Sequence, residues 1–421
     1  MGEALLVRRV GNQEIYNPNG KEWCVAVCDG VSPADALYAN NIWVCSSNQG
    51  IYYSLDGKTW TQSNITSGSY DDLCYENGIW ICIQSINSGK YGAPYYSTDG
   101  KVWTSGNVDV FRPALIYQKN IWILYSCDDD SRKHADGIYY SLDGKTWTQS
   151  NITNSAFKIT YANGIWIATT VVNTTSTGIY YSLDGKTWTQ SNITTGYYGI
   201  AYYGDGVWVT IYSSSSDNSG AYYSLDGKTW TQSNITNYAS NSSYCYVNGM
   251  WFLKRYNPSD FYYSLNGKTW TKTDVSFTSY STINIIYENG IWIAYTAAST
   301  ENNNMKYSTD GKVWISCSGI PTTKKINEIY YVNNIWICCS STGIYYSLDG
   351  KTWTQSNITS NILQVIHANG IWICCSSTGI YYSLDGKTWT QSNVTINTTK
   401  VLFSQNLWVV PAKYYSVALK N

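Results

Sequence analysis

A seven-residue pattern, Ser-x-Asp-Gly-Lys-x-Trp, limits what this chain can fold into more than any other feature. It stands at residues 54–60, 97–103, 141–147, 182–188, 224–230, 308–314, 347–353 and 383–389. A ninth copy at 264–270 carries Asn266 in place of the Asp, and a worn tenth, Asn17-Pro18-Asn19-Gly20-Lys21-Glu22-Trp23, opens the series. Successive Trp of this box are 37, 43, 44, 41, 42, 40, 44, 39 and 36 residues apart. A second pattern, Asn-Gly-Ile-Trp or a near variant, alternates with it and ends at Trp43, Trp80, Trp122, Trp166, Trp208, Trp251, Trp292, Trp336, Trp372 and Trp408. The two patterns together hold all 20 Trp of the 421-residue chain. A period near forty residues means small units that bury their apolar faces against their neighbours, in one assembly rather than several independent domains.

The stretch 157–194 shows what one unit is. Phe157 to Ala162 reads as a strand, Asn163-Gly164 as a two-residue turn whose positive φ angles suit a hairpin, and Ile165 to Val171 as a second strand. A variable segment follows, then a third strand Gly178-Ile179-Tyr180-Tyr181-Ser182, the box turn, and a fourth strand Thr187 to Ser191. Four short strands in a meander per unit is the signature of a propeller blade. Aromatics at 16%, including 41 Tyr, and abundant Ser, Thr and Asn suit twisted strands joined by polar turns.

The chemistry of the box is that of a turn. The Asp or Asn oxygen accepts backbone N–H bonds, Gly takes an angle no β-carbon tolerates, and Trp seals one sheet against the next. Asn266 satisfies a need for an acceptor oxygen and not a need for a carboxylate. Asp56, Asp99, Asp143, Asp184, Asp226, Asn266, Asp310, Asp349 and Asp385 are therefore read as structural.

The repeated Ser-x-Asp-Gly-Lys-x-Trp resembles the Asp-box, or BNR repeat, of sialidases and related propellers, over about residues 15 to 410. That resemblance implies a propeller with the box at the third-to-fourth strand turn of each blade, on its outer rim. Asp-boxes serve enzymes, receptors and assembly factors alike, so the implication concerns fold. The chain opens late in a unit, with Ile15-Tyr16-Asn17 as third strand and Trp23 to Val27 as fourth, and ends early in one, with Val401 to Ser404 as first and Leu407 to Val410 as second. Joined, these halves complete a tenth blade and remove open sheet edges. The expectation is an all-β fold: a single propeller of ten four-stranded antiparallel blades over residues 15–412, with an N-terminal segment 1–14 and a tail 413–421. In blade number and boxes it is similar to the Vps10-type domain of sortilin receptors, without that family's Cys-rich companion module. Two five-bladed rings or an open array are the alternatives, and the unbroken period, with no linker near the middle, counts against them.

Composition excludes several functions. Net charge is −1 with 13% charged residues, which gives no electrostatic basis for binding nucleic acid or an anionic membrane. No 18-residue apolar run exists, so no membrane insertion is expected. The opening residues place charge after a short apolar patch, the reverse of a secretory signal. If Met1 is the natural start, synthesis in a cytoplasm is expected. Position 6 is Leu, which does not fit a myristoylation site. The 12 Cys include no C-x-x-C, and Cys45, Cys82, Cys338 and Cys374 recur at one strand position, as buried reduced thiols do. No metal or cofactor is expected. The Asn-x-Ser/Thr sites at Asn64, Asn151, Asn192, Asn234 and Asn357 fall in the repeat text and read as unglycosylated.

In a four-strand meander the first and third turns share one edge of the blade, and the second turn and the link to the next blade share the other. Here the first edge is nearly invariant in text and the second varies in length and content, which places recognition on the second. Its candidate ligand-binding residues are Tyr70, Tyr91, Arg112, Asp128, Lys133, Tyr197, Tyr198, Arg255, Tyr256 and Lys325. Tyr, Ser, Asn and Gly dominate these stretches, a palette that gives contact area at low entropic cost and stacks on sugars. A sialidase needs an arginine cluster, whereas this chain has Arg8, Arg9, Arg112, Arg132 and Arg255, and Phe111-Arg112-Pro113 only partly matches that family's Arg-Ile-Pro. Asp128-Asp129-Asp130 reads as a solvated acidic loop. The expected function is non-enzymatic: a propeller presenting variable loops to a cell-surface glycan or protein. The opening Met-Gly-Glu-Ala-Leu-Leu-Val-Arg-Arg resembles the start of tail-fibre and tail-tip proteins of bacteriophages of gut bacteria, which implies a place on a virion. A sialidase-like glycoside hydrolase is the runner-up, and an intracellular scaffold similar to the Asp-box photosystem II assembly factors is the third reading.

Overall fold

The computed structural model describes residues 3–4, 33–57, 59–85, 91–126, 136–153, 156–170, 178–196, 198–212, 220–236, 243–255, 260–276, 283–296, 305–320, 325–392, 401–404 and 407–409. Every regular element among them is a strand. The fold is an all-β propeller of four-stranded antiparallel blades, each a meander with its strands in chain order. The described residues make nine such blades, at 33–62, 69–105, 113–149, 156–190, 202–236, 243–276, 283–316, 326–355 and 362–391.

The blade at 156–190 shows how local chemistry sets the strands. Ala156–Ala162 pairs with Ile165–Thr170 across Asn163 (φ 49°) and Gly164 (φ 80°), the left-handed pair a two-residue hairpin needs. Gly178–Ser182 follows, and the fourth strand is only Thr189–Gln190, shorter than its text suggests. The box sets where it starts. Asp184 Oδ1 accepts the N–H groups of Lys186 (2.8 Å) and Thr187 (2.9 Å), so neither is left for the sheet ladder.

The second strand carries the core. Ile165–Thr170 is buried at every position, so both faces of the strand are covered. Its two faces meet different blades. Ile165 and Ile167 pack with Trp208 and Trp230 of the following blade, while Trp166 and Ala168 pack with Ile121 and Ile123 of the preceding one. The same alternation sets Ile335 and Ile337 against Trp372 and Trp389, and Ile42 and Val44 against Trp80 and Trp103. Each such large side chain contributes about 2–3 kcal/mol by leaving water. A half-exposed tyrosine of the first strand covers the second-strand tryptophan, as Tyr161 does Trp166 with ring centroids 4.8 Å apart.

The chain divides into two compact units. The first comprises 1–87, 94–105 and 317–421 and holds the blades at 33–62, 69–105, 326–355 and 362–391. It also holds a three-stranded sheet in which Leu407–Val409 pairs antiparallel with Leu402–Ser404 and parallel with Glu3–Ala4. The second unit, 88–93 and 106–316, holds the five blades between 113 and 316 and a short antiparallel pair, Tyr91–Gly92 with Val110–Phe111.

Nine four-stranded blades are described, where the sequence reading expects ten. The terminal segments do pair, but Glu3–Ala4, from the expected N-terminal segment, takes the open edge of Leu407–Val409 and does so in parallel. A strand edge bonds whichever extended segment reaches it, and the box count alone does not say which. The expected strands at 15–17 and 23–27, and the boundaries at 14 and 412, lie outside the described residues.

Nine cysteines are described, and Cys45, Cys82, Cys338 and Cys374 are buried in their second strands. Burial pushes the Cys82, Cys339 and Cys374 thiols well above their ordinary range and that of Cys245 up to about 12. Cys24, Cys28 and Cys127 lie outside the described residues.

Two glycines of this blade answer to different constraints. A β-carbon on Gly164 would meet nothing within 4 Å, whereas one on Gly185 (φ 73°) would stand 3.3 Å from Ile121, Ile123 and Trp166. Gly164→Ala is expected to cost about 1 kcal/mol through its backbone angle alone. Gly185→Ala is expected to cost about 2–3 kcal/mol, since it also overpacks the junction with the preceding blade. Urea unfolding of the two variants checks the difference.

Candidate functional site

The variable edge begins where the second strand ends. Three blades close it with two residues, Asn48-Gln49, Ser341-Thr342 and Ser377-Thr378. In each a serine hydroxyl fixes the turn. Ser340 Oγ accepts the Thr342 N–H (3.1 Å) and donates to the Gly343 carbonyl (2.9 Å), and Ser47 and Ser376 do the same. In the other blades this connection is longer. The blade at 113–149 runs from Ser126 to Ile138 without a strand among its described residues.

Two of the expected ligand residues are core instead. Tyr70 is 2% exposed and sits edge-on to Tyr95, with centroids 5.3 Å apart, in the junction between the blades at 33–62 and 69–105. Tyr198 is 3% exposed, stacked on Tyr212 at 4.9 Å and edge-on to Tyr222. Burial pushes both phenols above their ordinary range. Their segments lead into first strands, and the inter-blade core takes the large ring of each.

Arg112 and Lys325 are exposed on links between blades. Arg112 has a positive φ of 42°, its guanidinium 5.7 Å from the Phe111 ring centroid, and the neighbouring Phe111 N–H donates to Asp136 Oδ2 (2.8 Å). Arg255 is held down at a loop base: its N–H bonds the Asp260 carbonyl (2.9 Å) and its guanidinium lies 3.7 Å from the Asp260 carboxylate. Lys272 shares that carboxylate at 2.7 Å, and this bond raises the lysine's pKa. Tyr91 lies in the short strand paired with Val110–Phe111. Asp128, Lys133, Tyr197 and Tyr256 lie outside the described residues. The described residues contain no group of three or more His, Cys, Asp or Glu suited to a metal ion.

The box residues are turned inward upon their own turns. Ser182 Oγ donates to Asp184 Oδ1 (3.0 Å) and accepts the Gly185 N–H (2.8 Å), completing the set begun by Lys186 and Thr187. The same bonds recur at Asp99, Asp143, Asp226, Asp310, Asp349 and Asp385. At Asp56 the carboxylate takes the Ser54 hydroxyl and the Thr59 N–H. Asn266 reproduces the arrangement with Lys268 and Thr269, both at 2.9 Å.

Sequence reasoning missed the asparagine that stands four residues after most box Trp. Asn151 Oδ1 accepts the backbone N–H of Trp188 (2.8 Å), and its Nδ2 donates to the Trp188 carbonyl (2.7 Å). One blade thereby grips the box of the next. Asn64 grips Trp103, Asn107 Trp147, Asn192 Trp230, Asn234 Trp270 and Asn357 Trp389 in the same way. Where Ser318 takes the place of the asparagine, the backbone substitutes: Ser318 N–H donates to the Lys351 carbonyl and Trp353 N–H to the Ser318 carbonyl. The fixed spacing from the box was the available signal, masked by its reading as a glycosylation site. A second missed feature is an aliphatic side chain left in solvent at each described box turn. It is Leu at the second box position, as in Leu183 at 66% exposed, or Val at the sixth where the second is Thr, as in Val102 at 61% and Val313 at 63%.

No family model matches the sequence, and no curated protein matches it. Solved structures similar to it include a computationally designed protein, Ika8 (9% identity, 92% of this chain and 98% of that one, TM-score 0.43). Apo AztD from Citrobacter koseri matches at 10% identity over 90% and 97% of the chains, with a TM-score of 0.43. An ancestral GH74 enzyme matches at 13% identity over 88% and 66%, with a TM-score of 0.33. At these levels the likeness does not extend to function.

Two outcomes are expected from the box and its grip. Asn192→Ala removes both bonds to Trp230 and is expected to cost about 2 kcal/mol, measured by urea unfolding. Burial opposes ionisation of Asp143, Asp184, Asp226, Asp349 and Asp385, but the N–H and hydroxyl donors outweigh it and hold these carboxyls below the usual range. A depressed folded-state pKa adds stability above the unfolded value of about 4, which is lost as pH falls through the folded value. The thermal midpoint should therefore hold between pH 7 and 5 and drop below about pH 4. Asp184→Asn should soften that drop with little change at pH 7.

Proposed function

We propose that this chain is a non-enzymatic binding protein that presents its variable edge to a cell-surface glycan or protein. The observation that carries the reading is the contrast between the two edges of each blade. On one edge the turns are two residues long, as at Asn163-Gly164 and Asn289-Gly290, or follow the box text, and their polar groups are spent on the turns themselves. On the other edge the connections differ from blade to blade, from Ser341-Thr342 to the span between Ser126 and Ile138. Variation set on a fixed frame is what recognition by loops requires. Arg112, Lys325, Tyr91, Asp128, Lys133, Tyr197 and Tyr256 are the residues proposed to meet the ligand, and Tyr70 and Tyr198 are removed from that set by their burial. The repeat is similar to that of the Asp-box propellers, and the opening residues, similar to those of phage tail proteins, favour a place on a virion.

A glycan array probed with the purified chain tests this. Binding to a defined glycan class is expected, weakened about five- to tenfold by Arg112→Gly or Lys325→Ala and unchanged by Asp184→Asn. Loss of binding in the Asp184 variant with the fold intact, or release of cleaved sugar from the array, would overturn it.

A further inference from the structure

We propose that N-glycosylation and folding exclude each other in this chain, because five asparagines that join one blade to the next are also sugar acceptors. Asn64, Asn151, Asn192, Asn234 and Asn357 each begin the sequence Asn-Ile-Thr, which is an acceptor pattern. All five residues are exposed, so exposure by itself leaves them open to transfer. Their amide geometry closes them. Each uses Oδ1 and Nδ2 on the N–H and C=O of a single tryptophan, Trp103, Trp188, Trp230, Trp270 and Trp389 in turn. A planar amide that bonds one residue through both atoms must use the Nδ2 hydrogen on the same side as Oδ1.

Sugar transfer forms a bond from Nδ2 to the sugar's anomeric carbon, breaks that carbon's bond to a phosphate leaving group, and gives up one Nδ2 proton to a base. The product is a secondary amide. Its trans form puts the sugar carbon on the Oδ1 side, where the tryptophan carbonyl sits in the folded chain. The cis form that would spare the bond is disfavoured by about 70-fold. Asn107 makes the same pair with Trp147 but is followed by Val108-Asp109, which shows that the grip does not require the acceptor pattern. The chain is accordingly suited to a compartment in which it folds without meeting an N-glycosyltransferase.

The full chain, purified from bacterial cytoplasm, is treated with a soluble N-glycosyltransferase that adds one glucose from UDP-glucose to Asn-x-Thr, with the peptide Gln-Ser-Asn-Ile-Thr as positive control. The native chain is expected to carry no glucose at the five positions by mass spectrometry. The chain unfolded in urea, under conditions where the peptide still reacts, is expected to carry it. After urea is removed, the untreated chain should regain protease resistance and the glucosylated chain should not. A variant with Thr66, Thr153, Thr194, Thr236 and Thr359 each changed to Val keeps the five asparagines and, with Thr175, Thr395 and Thr399 changed likewise to remove the other Asn-x-Thr sites, should refold after the same treatment. A protease-resistant chain bearing glucose on any of the five asparagines would overturn the proposal.

Discussion

The carboxamide of an asparagine closing on the backbone of a tryptophan in the next blade ties together the two levels of this fold. Within a blade the box turn withdraws two N–H groups from the sheet, and the fourth strand that follows has two residues in the blade at 156–190. Such a strand is a weak edge. The grip of Asn151 on Trp188 anchors it to the neighbour, and the same spacing repeats the contact along each compact unit. The hydrophobic contribution works in the same direction. Ile165 and Trp166 face opposite ways, and each is completed only by an adjacent blade. A single blade has no finished core of its own, which is the physical sense in which the repeat is cooperative.

Much of this was legible in the sequence. Asn163-Gly164 announced a hairpin, Ile165 to Val171 a strand, and Asn266 showed that the box needs an oxygen rather than a charge. The bonds of Asn266 to Lys268 and Thr269 match those of the aspartates. What was not legible depended on partners distant in the chain. Asn151 and Trp188 are 37 residues apart, and nothing in the local text of either names the other. Tyr198 reads as a loop aromatic until Tyr212 and Tyr222 enclose it. The partner of the C-terminal strand, Glu3–Ala4, carries no strand signal of its own. Pairwise contacts across blades were hidden, while periodic and turn chemistry was open to view.

The candidate site divides along the same line. The box edge could be judged from sequence because its residues satisfy one another within a few positions, and the structure gives each described carboxylate its donors there. The variable edge is defined by what it does not repeat. Of its expected contact residues, Arg255 is committed to Asp260 beside Lys272, and two tyrosines are committed to the core. The proposed recognition therefore rests on fewer side chains than the sequence offered, with Arg112 and Lys325 the exposed basic groups of the described links.

The central claim is that box and asparagine form one frame rather than a set of separate surface turns. Native-state hydrogen exchange at the backbone amide of Trp188 tests it most directly. This N–H lies just before the short fourth strand Thr189–Gln190 and has Asn151 Oδ1 as its acceptor. The account predicts that it exchanges only with global unfolding, and that Asn151→Ala removes its protection while the Ile167 amide keeps most of its own. Exchange of the Trp188 amide at the rate of exposed turn amides in the unaltered chain would contradict the account.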